Sequence, residues 1–286
     1  MKKFFALIML ITLLMTGCGG DSGGEGKLID KDAGKVKLGM ITRLNASEEN
    51  FGEFMNKVED TLDVKISSHV PVFFDNLNAM QMALQSKKID EISTYRSVAR
   101  YMIAKDPQFV VLKDHSLEFI DSFCFALRDD ETELQNSLNM AIKDLQVEGT
   151  LDRLTKEYIT DINAETEPPA VEMPHFDGAE TIKVAVTGDL PPLDFISADG
   201  KPAGFNTAVL AEIGTRLQKN IELVEIESGA RAAALNSKQV DVVFWAIVPV
   251  SEIIPTDSDK PDGVILTEPY FKDKIVHMIF QPEEKK

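Results

Sequence analysis

The chain has 286 residues, of which 47 are acidic and 30 are basic, so its formal net charge is −17. This charge argues against a nucleic-acid partner and against a polybasic surface for anionic lipids. Once the leader and the tether described next are set aside, about 250 residues remain to fold, which is enough for one large domain or two modest ones.

The amino terminus has the features of an export signal. Two lysines precede the apolar run Phe4–Met15, and a small residue precedes Cys18. The run is too short to span a bilayer as a mature helix. The arrangement resembles a bacterial lipoprotein signal, which predicts a signal peptide at 1–17, lipid on Cys18 and a glycine-rich flexible tether at 18–34. An ordinary secretory signal with an incidental cysteine is the alternative.

Strands and helices alternate in the first half of the chain. The predicted strands are Val36–Thr42, Lys65–Phe73 and Asp90–Ser93, and the predicted helices are Phe51–Leu62, Leu77–Gln85 and Val98–Ala104. This alternation favours βαβ units and a mostly parallel sheet. Two further helices follow, of which Gly149 is predicted to end the first and Thr150 to cap the second.

The second half repeats parts of the first. Residues 161–179 contain three prolines and are predicted to form a linker. Beyond it, Ile182–Gly188 has the same shape as the first strand. The segment Ala233–Asp241 is similar in sequence to Met82–Asp90, so both similar segments follow the same order in each half of the chain. These two similarities indicate two related α/β units, although chance similarity is the alternative.

The second unit carries a family pattern. Its elements are Val184–Gly188 with Pro191 and Pro192, Gly200–Asn206, Arg231–Asp241 and Thr267–Phe271. Together they resemble the opening part of the bacterial extracellular solute-binding proteins, family 3, the amino-acid receptors of ABC importers. The first unit is similar to the other end of that family, in the segments Asp75–Asp90, Phe123–Arg128 and Leu134–Tyr158.

The resemblance implies a type II periplasmic-binding-protein-like α/β fold, with two lobes that are each a mostly parallel sheet flanked by helices. Because the lobe order is inverted, we expect a circular permutation, which exposed termini tolerate. The implied divisions are lobe B at 35–122, a hinge strand and lobe A helices at 123–160, the linker, lobe A at 180–272, and a return strand and tail at 273–286. Two half-domains that pair between chains are the rival arrangement.

Ligands of open α/β sheets bind beyond the carboxyl ends of the strands. The predicted ligand-binding residues at these ends are Asn45, Ser47, Thr94, Tyr95, Asp189, Leu190, Arg231 and Trp245. Three of these residues have an alternative, purely structural role. Ser47 could be a helix N-cap, Trp245 could pack in the core, and Arg231 could form a surface salt bridge.

Both ligand anchors implied by the resemblance are missing. Family members place an arginine that binds the ligand α-carboxylate where this chain has Val250–Ile253. They place an aspartate that binds the α-amino group near the position of Tyr95 in this chain. Either the ligand is not a simple amino acid, or Arg43, Arg96 or Arg231 binds it from another direction.

The resemblance therefore implies an extracytoplasmic solute-binding receptor, monomeric and anchored through lipid on Cys18 at the periplasmic face or cell surface. Its expected partners are a small polar solute and an ABC importer permease, with no nucleic acid. The four histidines show no metal-ligand spacing, and no convincing nucleophile–base pair is visible, so we expect no enzyme activity, no metal and no cofactor. Cys124 lies in an apolar run and is predicted to be a buried, inert thiol. A ligand sensor or surface interaction protein without transport is the alternative function.

Overall fold

A computed structural model describes most of the chain beyond the leader. The described residues are 34–45, 52, 56, 59–60, 69–112, 119–251 and 254–281. The segment Gly34–Lys286 forms one compact unit. Cys18, Ser47 and most of the predicted helix Phe51–Leu62 lie outside the described residues.

The first half alternates strand and helix, as the sequence predicts. Its elements are β1 (Val36–Ile41), β2 (His69–Phe74), α1 (Leu77–Gln85), β3 (Glu91–Tyr95), α2 (Arg96–Lys105), β4 (Phe109–Val111), β5 (Ile120–Arg128), α3 (Thr132–Val147) and α4 (Thr150–Thr155). The last helix continues as a π-helical turn to Thr160.

The second half begins after the proline-rich segment. Its elements are β6 (Thr181–Val186), β7 (Asp189–Leu190), β8 (Asp194–Ile196), β9 (Pro202–Ala203), α5 (Phe205–Leu217), β10 (Asn220–Glu225), α6 (Arg231–Asn236), β11 (Val242–Pro249), β12 (Val264–Leu266) and β13 (Phe271–Phe280). None of the helices in the described part of the chain is both long and apolar enough to cross a membrane.

One sheet runs through the whole unit in the order β10-β6-β11-β5-β13-β3-β1-β2. Its two ends are parallel: β10, β6 and β11 at one end, and β3, β1 and β2 at the other. The middle strands, β5 and β13, are antiparallel to their neighbours. We call the half containing β1–β4 lobe B and the half containing β6–β12 lobe A. The predicted α/β class with parallel strands in each lobe is confirmed.

Strand β13 belongs to both lobes. Its first four residues, Phe271–Lys274, pair with β5, and the next four, Ile275–Met278, pair with β3. The ladder passes from one partner to the other without a break in the strand, so a single backbone segment joins the lobes. The predicted domain boundaries on either side of this strand stay predictions.

Helix α1 shows how the local sequence sets an element. The Asn76 side chain accepts a hydrogen bond from the Ala79 N–H at 2.8 Å and caps the helix, as asparagine commonly does. Leu77, Met80 and Leu84 recur at helical spacing and are buried against the sheet. The predicted bounds of this helix are confirmed.

The turn between α3 and α4 departs from the prediction in one detail. Gly149 has φ 73°, a left-handed conformation that favours glycine, and it ends α3 as expected. The prediction that Thr150 caps the next helix is wrong. Thr150 is already the first residue of α4, and the glycine before it has no side chain that could cap.

The segment 161–179 carries no helix or named strand but is not detached. The Val171 N–H donates to the Pro202 carbonyl at 2.8 Å, and the Phe176 N–H donates to Asn220 Oδ1 at 2.8 Å. Val171 is buried. These contacts attach the segment to lobe A.

Aromatic side chains fill the centre of the molecule, where the shared strands meet. The Phe123 ring lies 4.7 Å from the Tyr95 ring, 5.4 Å from Phe271 and 6.1 Å from Trp245, between ring centroids. Phe123 is fully buried. The cluster contains residues of both lobes and of the strands between them.

We predict that Phe123→Ala lowers the free energy of unfolding by about 3–5 kcal/mol, because it removes a buried ring and leaves a cavity that the sheet cannot close. Denaturant unfolding followed by circular dichroism measures the loss. Met140→Ala is the control, since Met140 is 68% exposed and should change stability by less than about 0.5 kcal/mol. Equal, small effects in both variants would contradict a shared core at this point.

Candidate functional site

A small cavity lies at the carboxyl ends of β1 and β3, where lobe A covers lobe B. It has a volume of about 30 Å³ and is lined by Met40, Ile41, Arg43, Ser93, Thr94, Tyr95, Leu190, Trp245 and Ile275. A site of this size holds one or two waters. The two lobes are therefore closed on each other around a partly polar centre.

Two side chains of the cavity lining, Arg43 and Tyr95, share one buried partner, the Asp121 carboxylate. Arg43 lies 3.3 Å from Asp121 Oδ2, and the Tyr95 hydroxyl donates to the same oxygen at 3.0 Å. Burial works against the charged form of Arg43, but Asp121, Tyr95 and Asp259 together outweigh it, so the pKa of the guanidinium is raised. Burial and Asp121 raise the pKa of Tyr95 well above its usual value, so the hydroxyl stays a neutral donor.

A second buried carboxylate links the lobes close by. Asp259 accepts hydrogen bonds from the Asn45 N–H at 3.0 Å and from the Ile247 N–H at 3.1 Å. Asn45 follows β1 in lobe B, and Ile247 lies in β11 of lobe A. Burial raises the pKa of Asp259, and Arg43 opposes that rise.

Arg231 is completely buried and makes its contacts with backbone carbonyls. Its guanidinium donates to Ser228, Phe244 and Trp245 in lobe A, at 3.2–3.3 Å. One Nη donates across the interface to the Thr42 carbonyl of lobe B at 3.3 Å. Burial lowers the pKa of Arg231, and Asp259 and Asp194 oppose that shift. The alternative that Arg231 forms a surface salt bridge is therefore wrong.

Trp245 sits on an irregular stretch of β11. The register of β11 against β5 shifts between Val243 and Ala246, and Trp245 itself has φ 39°. The bulge lets the indole lie under the Arg231 guanidinium, 4.7 Å from the ring centroid, a cation–π contact. The indole is 2% exposed, and its Nε1 has no hydrogen-bond partner among the described residues.

Two aspartates fasten the lobes at the rim. Asp189 of lobe A accepts a 2.6 Å hydrogen bond from the Leu77 N–H, at the positive amino end of α1 in lobe B. In lobe B, the Asp75 carboxylate accepts a 3.1 Å bond from the Gly229 N–H of lobe A, and the Asp75 backbone carbonyl accepts a 3.2 Å bond from the Ser228 N–H. We call these contacts the interlobe latch. A Cβ on Gly229 would lie 2.6 Å from Asp75 Oδ1, so glycine is needed for this approach.

The structure divides the predicted site residues into two groups. Thr94, Tyr95, Leu190 and Trp245 line the cavity. Asn45, Asp189 and Arg231 instead hold the lobes together, and Ser47 lies outside the described residues.

Sequence reasoning missed the buried aspartates Asp121 and Asp259. A carboxylate at the start of the apolar strand β5 was a usable signal for Asp121. Asp259 lies in an irregular loop without periodicity, so nothing local marked it.

Reactive and metal-binding groups are not collected at the cavity. Burial raises the pKa of the Cys124 thiol to about 12, which fits the inert thiol that the sequence predicts. Among the described residues, the one group of three possible metal ligands is His69, Glu91 and His277, and none of these lines the cavity.

Residues 182–252 match the family model for bacterial extracellular solute-binding proteins, family 3. The match confirms the predicted resemblance in this part of the second unit and includes the segments Gly200–Asn206 and Arg231–Asp241. No curated protein matches the chain.

Solved structures with similar folds have low identity to this chain. A ligand-binding component of an ABC-type import system from Staphylococcus aureus, with zinc bound, is 12% identical, with a TM-score of 0.38 over 84% of this chain and 65% of that one. This chain thus spans about two thirds of its length. The GluR0 ligand-binding core with L-glutamate is 11% identical, with a TM-score of 0.39 over 87% and 86%. The methionine-binding protein MetQ is 12% identical, with a TM-score of 0.40 over 86% and 83%. These scores are too low to support an argument about function.

Asp189 gives the latch a dependence on pH. Burial raises its pKa to about 6, and Asp194 and Glu225 add to the rise, while the N–H groups of Leu77 and Asn78 oppose it. The folded protein therefore holds this proton more tightly than the unfolded chain, so the contribution of Asp189 to stability falls as pH rises from about 4 to about 6.

We predict that Asp189→Asn flattens this part of the stability profile, because asparagine keeps an acceptor oxygen for the Leu77 N–H and does not titrate. Urea unfolding of the wild type and the variant at pH 4, 5, 6 and 7 measures how the free energy of unfolding depends on pH. The control is Asp199→Asn, because Asp199 is an exposed aspartate on the turn between β8 and β9. Identical pH slopes in wild type and Asp189→Asn would contradict the assignment.

Proposed function

We propose that this chain, whose residues 182–252 match solute-binding family 3, is a lipid-anchored extracytoplasmic receptor of an ABC importer. It binds a small polar solute, an amino acid or a related compound, between its lobes. The family description supports an extracytoplasmic binding role. The export signal and Cys18 support the anchor, and delivery to a membrane permease follows from the transport role.

The unpartnered indole N–H of Trp245 is the observation that carries this proposal. A buried polar group without a hydrogen bond costs about 1–3 kcal/mol, so its presence in a cavity wall needs a reason. A bound solute with an acceptor oxygen supplies one. The same wall offers an aromatic face and charged groups, a combination that suits a small polar ligand.

Arg43 and Asp121 supply anchors that replace the two missing from the family pattern. Arg43 lines the cavity, and the oppositely charged Asp121 lies 3.3 Å from it. A zwitterionic ligand would place its carboxylate on Arg43 and its ammonium group on Asp121, exchanging one ion pair for two. Tyr95, at the family's aspartate position, orients Asp121 through its hydroxyl.

Ligand entry requires the lobes to separate. A cavity of about 30 Å³ accommodates water but not an amino acid. Strands β5 and β13 link the lobes, and the interlobe latch lies at the rim, so hinge opening about these strands breaks the latch and exposes Arg43 and Trp245.

A circular permutation accounts for the order of the lobes. Lobe B precedes the proline-rich segment 161–179, the family match begins at residue 182 of lobe A, and β13 returns to lobe B at the end. The segment 161–179 joins what would be the two termini of an unpermuted relative.

We predict that one class of ligand, among amino acids, dicarboxylates, short peptides and amines, raises the melting temperature of the full chain in mild detergent. A ligand at 100 times its Kd adds about 2.7 kcal/mol, a shift of roughly 5–10 °C. For a ligand that carries a carboxylate, Arg43→Gln should abolish the shift, because it removes the charge that binds this group.

The control for that experiment is Arg153→Gln, an exposed arginine paired with Glu157 and Glu212, which should keep the full shift. A cooperative protein that responds to no ligand class would contradict the receptor role and favour sensing or surface interaction. A ligand shift that survives in Arg43→Gln would place the binding site elsewhere.

We predict that the same ligand changes the intrinsic fluorescence of the protein. Trp245 is the only tryptophan in the sequence and lies in the cavity wall, so emission reports on this site alone. Titration should give a saturable change in emission wavelength or intensity, with a midpoint that matches the thermal data. A ligand that stabilises the protein without altering Trp245 emission would argue against binding in this cavity.

A further inference from the structure

Three potential metal ligands meet on one face of lobe B, and none of them lines the cavity. His277 Nδ1 lies 3.1 Å from Glu91 Oε2, and His69 Nε2 lies 3.8 Å from the same oxygen. One nitrogen of each imidazole and the carboxylate oxygen all lie within 4.8 Å of one another. The side chains are 15–21% exposed, so they are half-buried yet open to solvent.

The register of the sheet explains why these side chains converge. His69 is opposite Val36, Glu91 is opposite Leu38 and His277 is opposite Ser93, and paired residues point to the same face. Ser93 and Glu91, two apart on β3, share that face. His69 and Glu91 begin their strands, so the cluster lies at the amino ends of β2 and β3, whereas the cavity lies at the carboxyl ends.

We propose that His69, Glu91 and His277 form a site for a divalent transition-metal ion of the zinc type. Two imidazoles and one carboxylate are a ligand set that zinc accepts, with a fourth position left for water. Zinc–nitrogen and zinc–oxygen bonds of about 2.0–2.2 Å require donor atoms about 3.3–3.6 Å apart in a tetrahedron. The three donor atoms now lie within 4.8 Å of one another, so small side-chain rotations would bring them to those distances.

A metal at this site would join three strands that the sequence separates widely. His277 belongs to β13, which lobe A shares, while His69 and Glu91 belong to β2 and β3 of lobe B. The bound ion would fix the end of the shared strand against the lobe B sheet. The consequence is a stiffer lobe B end of the hinge, independent of the solute that the cavity takes.

Calorimetric titration of the full chain in mild detergent with ZnCl₂ tests the proposal. The expected result is one ion per chain, with Co²⁺ giving the visible absorption of a tetrahedral site. His277→Gln, His69→Gln and Glu91→Gln should each weaken binding by at least about tenfold, since even the loss of outer-shell partners costs 10–100-fold. Glu91→Gln keeps the shape of the side chain and an acceptor oxygen, so it protects the test against simple unfolding.

His175→Gln is the matched control, because His175 is an exposed histidine beside Asp177 in the segment attached to lobe A. It should leave zinc binding and the Co²⁺ spectrum unchanged. The proposal is overturned if the folded wild-type chain takes up no zinc, or if binding persists in Glu91→Gln and in both histidine variants. The proposal is also overturned if only His175→Gln loses zinc binding, because the ion would then bind at another site.

Discussion

The buried guanidinium of Arg231 is the constraint around which the two lobes are arranged. A charged group with no exposed surface must be fully hydrogen-bonded, because an uncompensated buried charge destabilises a fold by several kcal/mol. Four carbonyls supply the bonds, three from lobe A and one, that of Thr42, from lobe B. In the closed arrangement all three nitrogens of this guanidinium are hydrogen-bonded, and separating the lobes removes the Thr42 acceptor from Nη2.

The same arginine explains the conformation of the cavity wall. It holds Trp245 through its carbonyl and through the face of its ring, which fixes the indole on a bulged part of β11. The indole N–H is left without a partner among the described residues, and Arg43, which is paired with Asp121, lines the same small space. Arg231 therefore orients the wall, while Arg43 is the arginine available to a ligand.

Much of the fold could be predicted from the sequence because local patterns set it. The apolar spacing of Leu77, Met80 and Leu84 gave α1 its bounds, and the alternation of strand and helix gave the α/β class. The pairing partners were not local properties. That β13 divides its ladder between β5 and β3 depends on where two distant strands end, and no periodicity within Phe271–Phe280 records it.

The candidate site was predictable only in part, for a related reason. Strand ends pointed to Thr94, Tyr95, Leu190 and Trp245, which line the cavity. The roles of Arg231 and Asp189 depend on partners 189 and 112 residues away, Thr42 and Leu77, so the sequence could not separate a ligand contact from an interlobe bond. Asp259 escaped notice because its acceptor role exists only once β1 and β11 are brought together.

Amide hydrogen exchange, followed residue by residue by NMR, tests most directly whether the closed lobes open as units. The N–H groups of Leu77 and Gly229 donate to acceptors across the latch, whereas the buried Phe125 N–H donates to the Thr267 hydroxyl, away from the latch. The account predicts that the two latch amides exchange much faster than the Phe125 amide, through opening without unfolding. Exchange of all three at the rate of global unfolding would show that the lobes do not separate and would contradict a ligand cleft between them.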